Sequence, residues 1–392
     1  MSIPESWDSL EQMVGWAEKV HHDIDFTIVR EWKDAEEGRV VVGYLPAWAP
    51  RELIHATGAL PVSMSGGGDD IEIIKGDAYF QSYICHIPRS AIELGLAGKL
   101  EAFDAFIFPS ICDVIRNLSG MWKMLFKDQV ALYLDMPQSH DAIGAEFFSH
   151  ELRVILDRLE ELTGRPVTDD AIRASVAVYN ENRRLLDELD ALRRESPHLV
   201  PTHETYLIVR AGGVIPVEDY NTLLADYLTL ARASDRRPMD NARVVVAGSF
   251  CERPPLNLIR AIERSGCYIV DDDLNLCDRL VEGDVKCGEE PLNDYAAAFI
   301  GQAREAAFLY CSGKKGVGLV EKVRASKAEG VLFCAPSFCD PALLDQPMLC
   351  DGLDEEGIEY TSFKYAENTG QFQVIREQAG TFADSIKLWS AV

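Results

Sequence analysis

The feature that most constrains this chain is a set of short, wholly apolar runs, each bounded by turn residues and separated by amphipathic stretches. Residues 39–48 (RVVVGYLPAW) open with such a run and stop at Pro46; residues 104–110 (DAFIFPS) and 129–136 (QVALYLDM) supply two more. A strand that is apolar at every position has both faces covered, which is the condition of a parallel sheet flanked by helices. Between these runs, residues 50–60 (PRELIHATGAL) read as a helix closed by Gly58 and residues 61–64 (PVSM) as a short strand. Ser65–Asp70 (SGGGDD) reads as a loop, because three successive glycines offer no side chain to hold a regular element.

The pattern changes from about residue 143. EFFSHELRVILDRLEELTG and DDAIRASVAVYNENRRLLDELDALRRE carry apolar residues at three- and four-residue spacing, with acidic starts and basic ends. They are expected to be helices beside the first unit, with a charge-rich, solvated outer face. A second alternating unit follows: strands at 242–250 (ARVVVAGSF), 267–273 (CYIVDDD), 330–337 (GVLFCAPS) and 358–365 (IEYTSFKY), with helices at 257–266 and 316–330. The chain of 392 residues is longer than one core usually organises. The expected division is an N-terminal helical segment at 1–38, a first α/β domain at 39–142, a helical region at 143–238 and a second α/β domain at 239–392. The N-terminal segment reads as an amphipathic helix capped near Ser6 or Asp8.

Charge and apolar content exclude several functions. With 38 basic against 64 acidic residues, the net charge of −26 repels phosphate backbones, so no nucleic-acid partner is expected. No apolar run is long enough to span a membrane, and the N-terminus lacks a basic signal region, so a cytoplasmic location is expected. Nucleotide motifs are missing too. The stretch Cys311–Gly318 (CSGKKGVG) has the wrong order for a phosphate loop, and no G-x-G-x-x-G follows a strand, so no nucleotide is expected on this chain.

Ten cysteines are many for a reducing compartment, where disulfides are rare. Most read as small core residues. Cys112, Cys251 and Cys339, however, each follow an apolar strand, where ligands of parallel sheets gather, and Cys85 precedes a helix that Pro88 can start. No C-x-x-C occurs, which excludes compact zinc and ferredoxin motifs. Cys334 lies within its strand and reads as buried, leaving Cys339 as the better ligand. Cys267, Cys277 and Cys287 recur every ten residues without a physical account. A site built from Cys85, Cys112 and Cys339 has to be assembled by the fold across both domains.

The order GYLPAWAPRELIHATGALPV, GGGDD, GDAYFQSYICHIPRSAIELGL and FPSICDVIRNLSGMWKMLFKD resembles the benzoyl-CoA reductase/2-hydroxyacyl-CoA dehydratase family. SFCDPALLD and TGQFQVIREQ are similar to that family's last cysteine motif and closing arginine segment, so the resemblance spans residues 39–387. It implies two flavodoxin- or Rossmann-like parallel-sheet domains with added helices. It implies that Cys85, Cys112 and Cys339 ligate a 4Fe–4S cluster, three thiolates leaving one iron open for chemistry. The ICHIPRS and SICDVIRNLSGMW blocks are most similar to the smaller cluster-bearing subunit of the family's ATP-dependent reductases, which dearomatise benzoyl-CoA to cyclohexa-1,5-diene-1-carbonyl-CoA. The partners implied are a homologous larger cluster-bearing subunit, an ATP-hydrolysing iron–sulfur activator and ferredoxin as electron donor. Single and double cubanes are not distinguished.

Other residues carry two readings each. His86 is a proton or hydrogen-bond donor to the cluster, or a structural histidine. Glu52 is catalytic, or a helix N-terminal charge favoured by the macrodipole. Arg89 and Arg116 bind CoA phosphates or the thioester oxygen, or pair with the surplus acids. Gly67 and its glycine neighbours let backbone approach a ligand, or form a turn. Asp271–Asp273 is a strand-end polar cluster without the partners of a hard-metal site. Rival functions are 2-hydroxyacyl-CoA dehydration, which needs a polar site for the leaving hydroxyl, a double-cubane reductase, and a non-catalytic electron-transfer or scaffold role.

Overall fold

The computed structural model describes residues 2–81, 83–248, 254–274, 279–307, 309, 313–366 and 372–390. In chain order the helices described are α1 (Leu10–His21), α2 (Thr27–Asp34), α3 (Arg51–Ala56), α4 (His86–Leu96), α5 (Asp113–Leu125), α6 (Ala142–Thr163) and α7 (Asp169–Glu195). They continue with α8 (Thr202–Gly212), α9 (Val217–Ala233), α10 (Leu256–Glu263), α11 (Pro291–Gln302), α12 (Val317–Ser326), α13 (Asp340–Glu355) and α14 (Phe372–Ser390). The strands are β1 (Val41–Tyr44), β2 (Leu60–Ser63), β3 (Ala105–Pro109) and β4 (Val130–Leu134), then β5 (Ala242–Ala247), β6 (Cys267–Asp272), β7 (Gly330–Pro336) and β8 (Tyr360–Tyr365).

The strands form two parallel sheets with the same order, β2-β1-β3-β4 and β6-β5-β7-β8. This is the α/β class expected, and in each sheet the order reverses between the first and third strands of the unit. Such a switch point opens a crevice at the carboxyl ends of the strands. Every residue of β1, β3 and β7 is buried, as their unbroken apolar composition requires. Gly43 is needed because a Cβ there would lie 2.3 Å from the Phe106 ring, which crosses β1. Phe106 is packed with Phe103, Phe108 and Trp122, the aromatic centre of the first unit.

The helical stretch differs from expectation in placement. It lies between the units, not only beside the first: α7 packs on α3 and on β6, α8 on α1 and α10, and α6 on α11. Trp48, Phe148 and Phe299 stack across this junction. Nor is the charge on α7 all solvated, since Arg183, Asp190 and Arg193 are buried. β6 supplies partners for this charge: Asp271 and Asp272 are both buried at its carboxyl end, just past a register shift in its pairing with β5 between Val244 and Val245. Asp272 pairs with Arg193 and with Arg279 at 2.6 Å; Arg279 also reaches Asp190 at 3.0 Å, and Asp271 accepts from Arg194 Nε at 2.9 Å. These aspartates are therefore part of a buried ion-pair lattice tying α7 to β6.

One local reading is also corrected. The cap of α1 is Ser9, not Ser6 or Asp8: its hydroxyl accepts from Gln12 N, while Gln12 Oε1 accepts from Asp8 N, so the two side chains share the orphan donors. The TGQFQVIREQ segment leads into α14, and α13 continues through Pro347; neither helix follows from the sequence pattern alone.

Candidate metal centre

The three cysteines share one local setting. Cys85 is the N-cap of α4, Cys112 of α5 and Cys339 of α13, and in no case does the cap side chain accept a helix-capping hydrogen bond of the usual Ser/Asp kind. A sulfur there sits at the positive dipole end of a helix, which acts toward thiolate and against the effect of burial. Cys112 and Cys339 also occupy equivalent places, after the third strand of their respective units and at the two sheet switch points.

The fold builds each position firmly. Beyond β3, the Ser110 hydroxyl donates to Asp135 at 2.7 Å and accepts from Met136 N at 2.7 Å, locking the crossing that delivers Cys112. Beyond β7, Phe338 takes a left-handed φ of 68° immediately before Cys339. A non-glycine residue in that region is costly and is held only where its surroundings impose it. The corresponding turn after β1 has the same device at Ala47, with φ 65°.

Burial pushes the Cys112 thiol above its ordinary range; the N–H groups of Ile115 and Val114 oppose this, while Cys339 and Asp113 add to it. Cys112 and Cys339, more than two hundred positions apart in sequence, are thus brought within electrostatic reach. The Cys85 helix packs on the Cys112 helix. Cys339 is buried and the other two are half-buried. Among the described residues no three His, Cys, Asp or Glu side chains converge as ligands of a metal ion. A cubane spaces its thiolates more widely than a single ion does. Cys251, Cys277 and Cys311 lie outside the described residues. Cys334 is buried in β7, and Cys267 is buried with its thiol pushed up to about 11 by desolvation.

The flanking residues are placed as follows. His86 is buried at the first position of α4, and desolvation, helped by Arg89 and opposed by Asp77, pushes it down to about 4. Arg89 pairs with Asp77 at 2.9 Å and reaches back to the Cys85 carbonyl at 3.5 Å. Arg116 is exposed, within 3.4 Å of the Tyr133 hydroxyl and 4.0 Å of Asp113. Glu52 is buried and both its oxygens are taken, Oε1 by Arg183 at 2.5 Å and Oε2 by the Tyr295 hydroxyl at 2.6 Å. It joins α3 to α7 and α11. Gly67 N donates to Ser90 Oγ at 3.3 Å, and Gly66 has a φ of +75° with space for no Cβ beside that hydroxyl. The glycine loop therefore hugs α4, and it also lines a cavity of about 200 Å³ with His22, Asp70 and Arg210.

Sequence reasoning missed Glu93. Its carboxylate accepts from the backbone N–H of Ile74, Lys75 and Gly76 at 2.9, 2.6 and 2.8 Å. Burial raises its pKa, but these three bonds outweigh burial and hold the carboxyl below the usual range. Glu93 thereby anchors on α4 the loop that precedes Cys85. The only sequence signal was an acid within an apolar helix. A larger cavity of about 650 Å³ opens at the carboxyl ends of β5 and β7, beside the Cys339 turn. Ala247, Phe333, Ala335 and Ala342 line it together with charges of both signs, and its lysines Lys314 and Lys322 are paired with Glu355 and Asp271.

Comparison with known proteins places these features in context. The sequence model for "2-hydroxyglutaryl-CoA dehydratase, D-component" matches residues 46–386. The chain is 51% identical over 385 residues to one of the subunits of benzoyl-CoA reductase from Thauera aromatica, covering 97% of this chain and 100% of that protein. It is 27% identical to the beta chain of lactoyl-CoA dehydratase from Anaerotignum propionicum, over 90% of this chain and 93% of that one. It is 26% identical to the beta chain of (R)-2-hydroxyglutaryl-CoA dehydratase from Acidaminococcus fermentans, over 89% and 93% respectively.

Proposed function

Because this chain belongs to the 2-hydroxyglutaryl-CoA dehydratase D-component family, we propose that it serves as a subunit of a benzoyl-CoA reductase. The observation that carries this choice within the family is the 51% identity to a benzoyl-CoA reductase subunit across the whole chain, against 27% and 26% to dehydratase subunits. The reaction adds two electrons and two protons to the ring, giving cyclohexa-1,5-diene-1-carbonyl-CoA.

The proposed cofactor is a 4Fe–4S cluster held by Cys85, Cys112 and Cys339. Its support is the donor set: three soft thiol ligands, each at the N-cap of a helix, where the positive end of the dipole works against the cost of burying a thiolate. When bound, such a cluster supplies single low-potential electrons. The chain's own residues do the rest. The apolar residues Ala247, Phe333, Ala335 and Ala342 of the cavity beyond β5 and β7 are proposed to face the ring of the substrate. His86, buried next to Cys85 at the start of α4, is proposed to donate a hydrogen bond to the cluster. Arg89 braces the Cys85 carbonyl, while Arg116 and Gly67 are proposed substrate contacts. Glu52 is proposed to act by joining the units, its oxygens being engaged elsewhere.

The partners proposed are a homologous larger subunit, an ATP-hydrolysing activator and ferredoxin, in the cytoplasm. None of the described helices is long and apolar enough to cross a membrane. The test is to purify the chain anaerobically with its homologous partner, supply low-potential electrons, and follow benzoyl-CoA by mass. Formation of a product two hydrogens heavier supports the reading; dehydration of a 2-hydroxyacyl-CoA without reduction of benzoyl-CoA overturns it.

A further inference from the structure

A second cavity, of about 400 Å³, lies at the opposite end of the second sheet from Cys339. Asn241 and Cys267, at the amino ends of β5 and β6, line it. Because β5, β6 and β7 run parallel, a strand of this length separates it from the Cys339 turn by on the order of 20 Å. It is therefore distinct from the proposed cluster site.

Its charge is opposite to that of the molecule. Arg236, Arg237, Arg260, Arg264, His198 and His203 line it, with Glu263 the acid among the lining residues. The internal pairs leave a surplus. Arg236 is taken by Glu204 at 2.6 Å, Arg260 by Glu18 at 2.9 Å, and Glu263 by His203 at 2.6 Å and by Thr202 N at 2.6 Å. The neighbouring Asp240 is held by Lys387 at 3.0 Å. No hydrogen bond or ion pair engages the side chains of Arg237, Arg264 or His198 among the described residues, in a chain whose net charge is −26. Arg264 sits at the carboxyl end of α10, whose dipole tolerates the crowding of cations. The wall also has apolar parts, Pro197 and Met239, and the Tyr268 ring, fixed because its hydroxyl accepts from Met239 N at 2.7 Å.

We propose that this cavity binds a phosphorylated adenosine compound, its phosphates held by the Arg237 and Arg264 guanidiniums and its base laid against Tyr268 and Met239. Two free guanidiniums at one mouth suit bidentate recognition of phosphate oxygens. The volume falls within the range of small-molecule sites. A free nucleotide and the 3′-phosphoadenosine diphosphate end of CoA share this chemistry. The site stands independently of the reductase reading, since it involves no cysteine and no electron transfer.

The test is calorimetric titration of the full chain, under anaerobic conditions, with ADP, CoA, inorganic diphosphate and adenosine. ADP or CoA is expected to bind and adenosine to bind far more weakly. Arg237→Gln and Arg264→Gln are each expected to weaken binding about tenfold or more, the loss of a charge-assisted bond. Both are exposed, so circular dichroism is expected to stay unchanged. Tighter binding of ADP than CoA assigns the site to a free nucleotide, and the reverse assigns it to the acyl carrier. Diphosphate binding as tightly as ADP, equal binding by the variants, or no heat with any of the four at millimolar concentration overturns the proposal.

Discussion

Replacing Glu52 by Gln tests whether this residue is a tie between the two units or a group of the reaction. The carboxylate is buried beside a buried Arg183, their side chains 4% and 6% exposed, and Tyr295 donates to its other oxygen. An amide keeps the shape and still accepts from Tyr295, but it leaves the guanidinium uncompensated in a low-dielectric site. Breaking a buried pair from one side costs about 3–5 kcal/mol. At roughly 2 °C per kcal/mol for a large chain, the midpoint of thermal unfolding falls by about 6–10 °C. The assay is circular dichroism against temperature on Glu52→Gln, Arg183→Met and the double variant. The double variant is expected to recover much of the loss, because it removes the stranded charge, giving a coupling of more than about 1 kcal/mol. A midpoint equal to the parent's, or additive losses in the double variant, would refute the reasoning. An activity loss without a stability loss would return Glu52 to the chemistry.

Three further outcomes follow from the geometry. Burial raises the pKa values of Glu52, Asp190 and Asp272, but their arginine neighbours more than offset this and hold all three carboxyls below their ordinary range. Their stabilisation is thus present above about pH 4, the unfolded carboxyl range, and is lost as pH falls through the folded values. Denaturation midpoints should fall steeply below pH 4, and less steeply in Asp190→Asn. Gly66→Ala puts a Cβ 2.1 Å from Ser90 Oγ at a φ of +75°, so a loss of about 1–3 kcal/mol is expected in urea unfolding. Glu93→Gln removes a charged acceptor shared by three backbone N–H groups, and faster proteolytic cleavage within residues 71–79 is expected, with α4 itself intact.

What was legible in the sequence was what periodicity and composition carry. β1, β3 and β7 were readable because a strand buried on both faces must be apolar at each position. Cys112 and Cys339 were readable because they end such strands. That Cys112 and Cys339 also cap helices was not, since a cysteine N-cap has no propensity signal to separate it from a core thiol; for Cys85 the signal was Pro88, three residues on. The buried charges were illegible for a different reason. Arg183, Asp190 and Arg193 look like the solvated face of an amphipathic helix, and their partners Glu52 and Asp272 lie far off in sequence. β6 is covered on both faces, so two successive aspartates at its end are both buried, and no local pattern announces their arginine partners. Glu93 likewise serves a loop whose path is set by tertiary contact.

The central claim is that Cys85, Cys112 and Cys339 hold a cluster. It is tested most directly by assaying iron and acid-labile sulfide on the anaerobically purified chain and on Cys85→Ala, Cys112→Ala, Cys339→Ala and Cys334→Ala. The account predicts about four iron and four sulfide per chain, largely lost in the first three variants and retained in Cys334→Ala, with unchanged far-ultraviolet dichroism. A full complement of iron in Cys112→Ala and Cys339→Ala, or its loss only in Cys334→Ala, would contradict it.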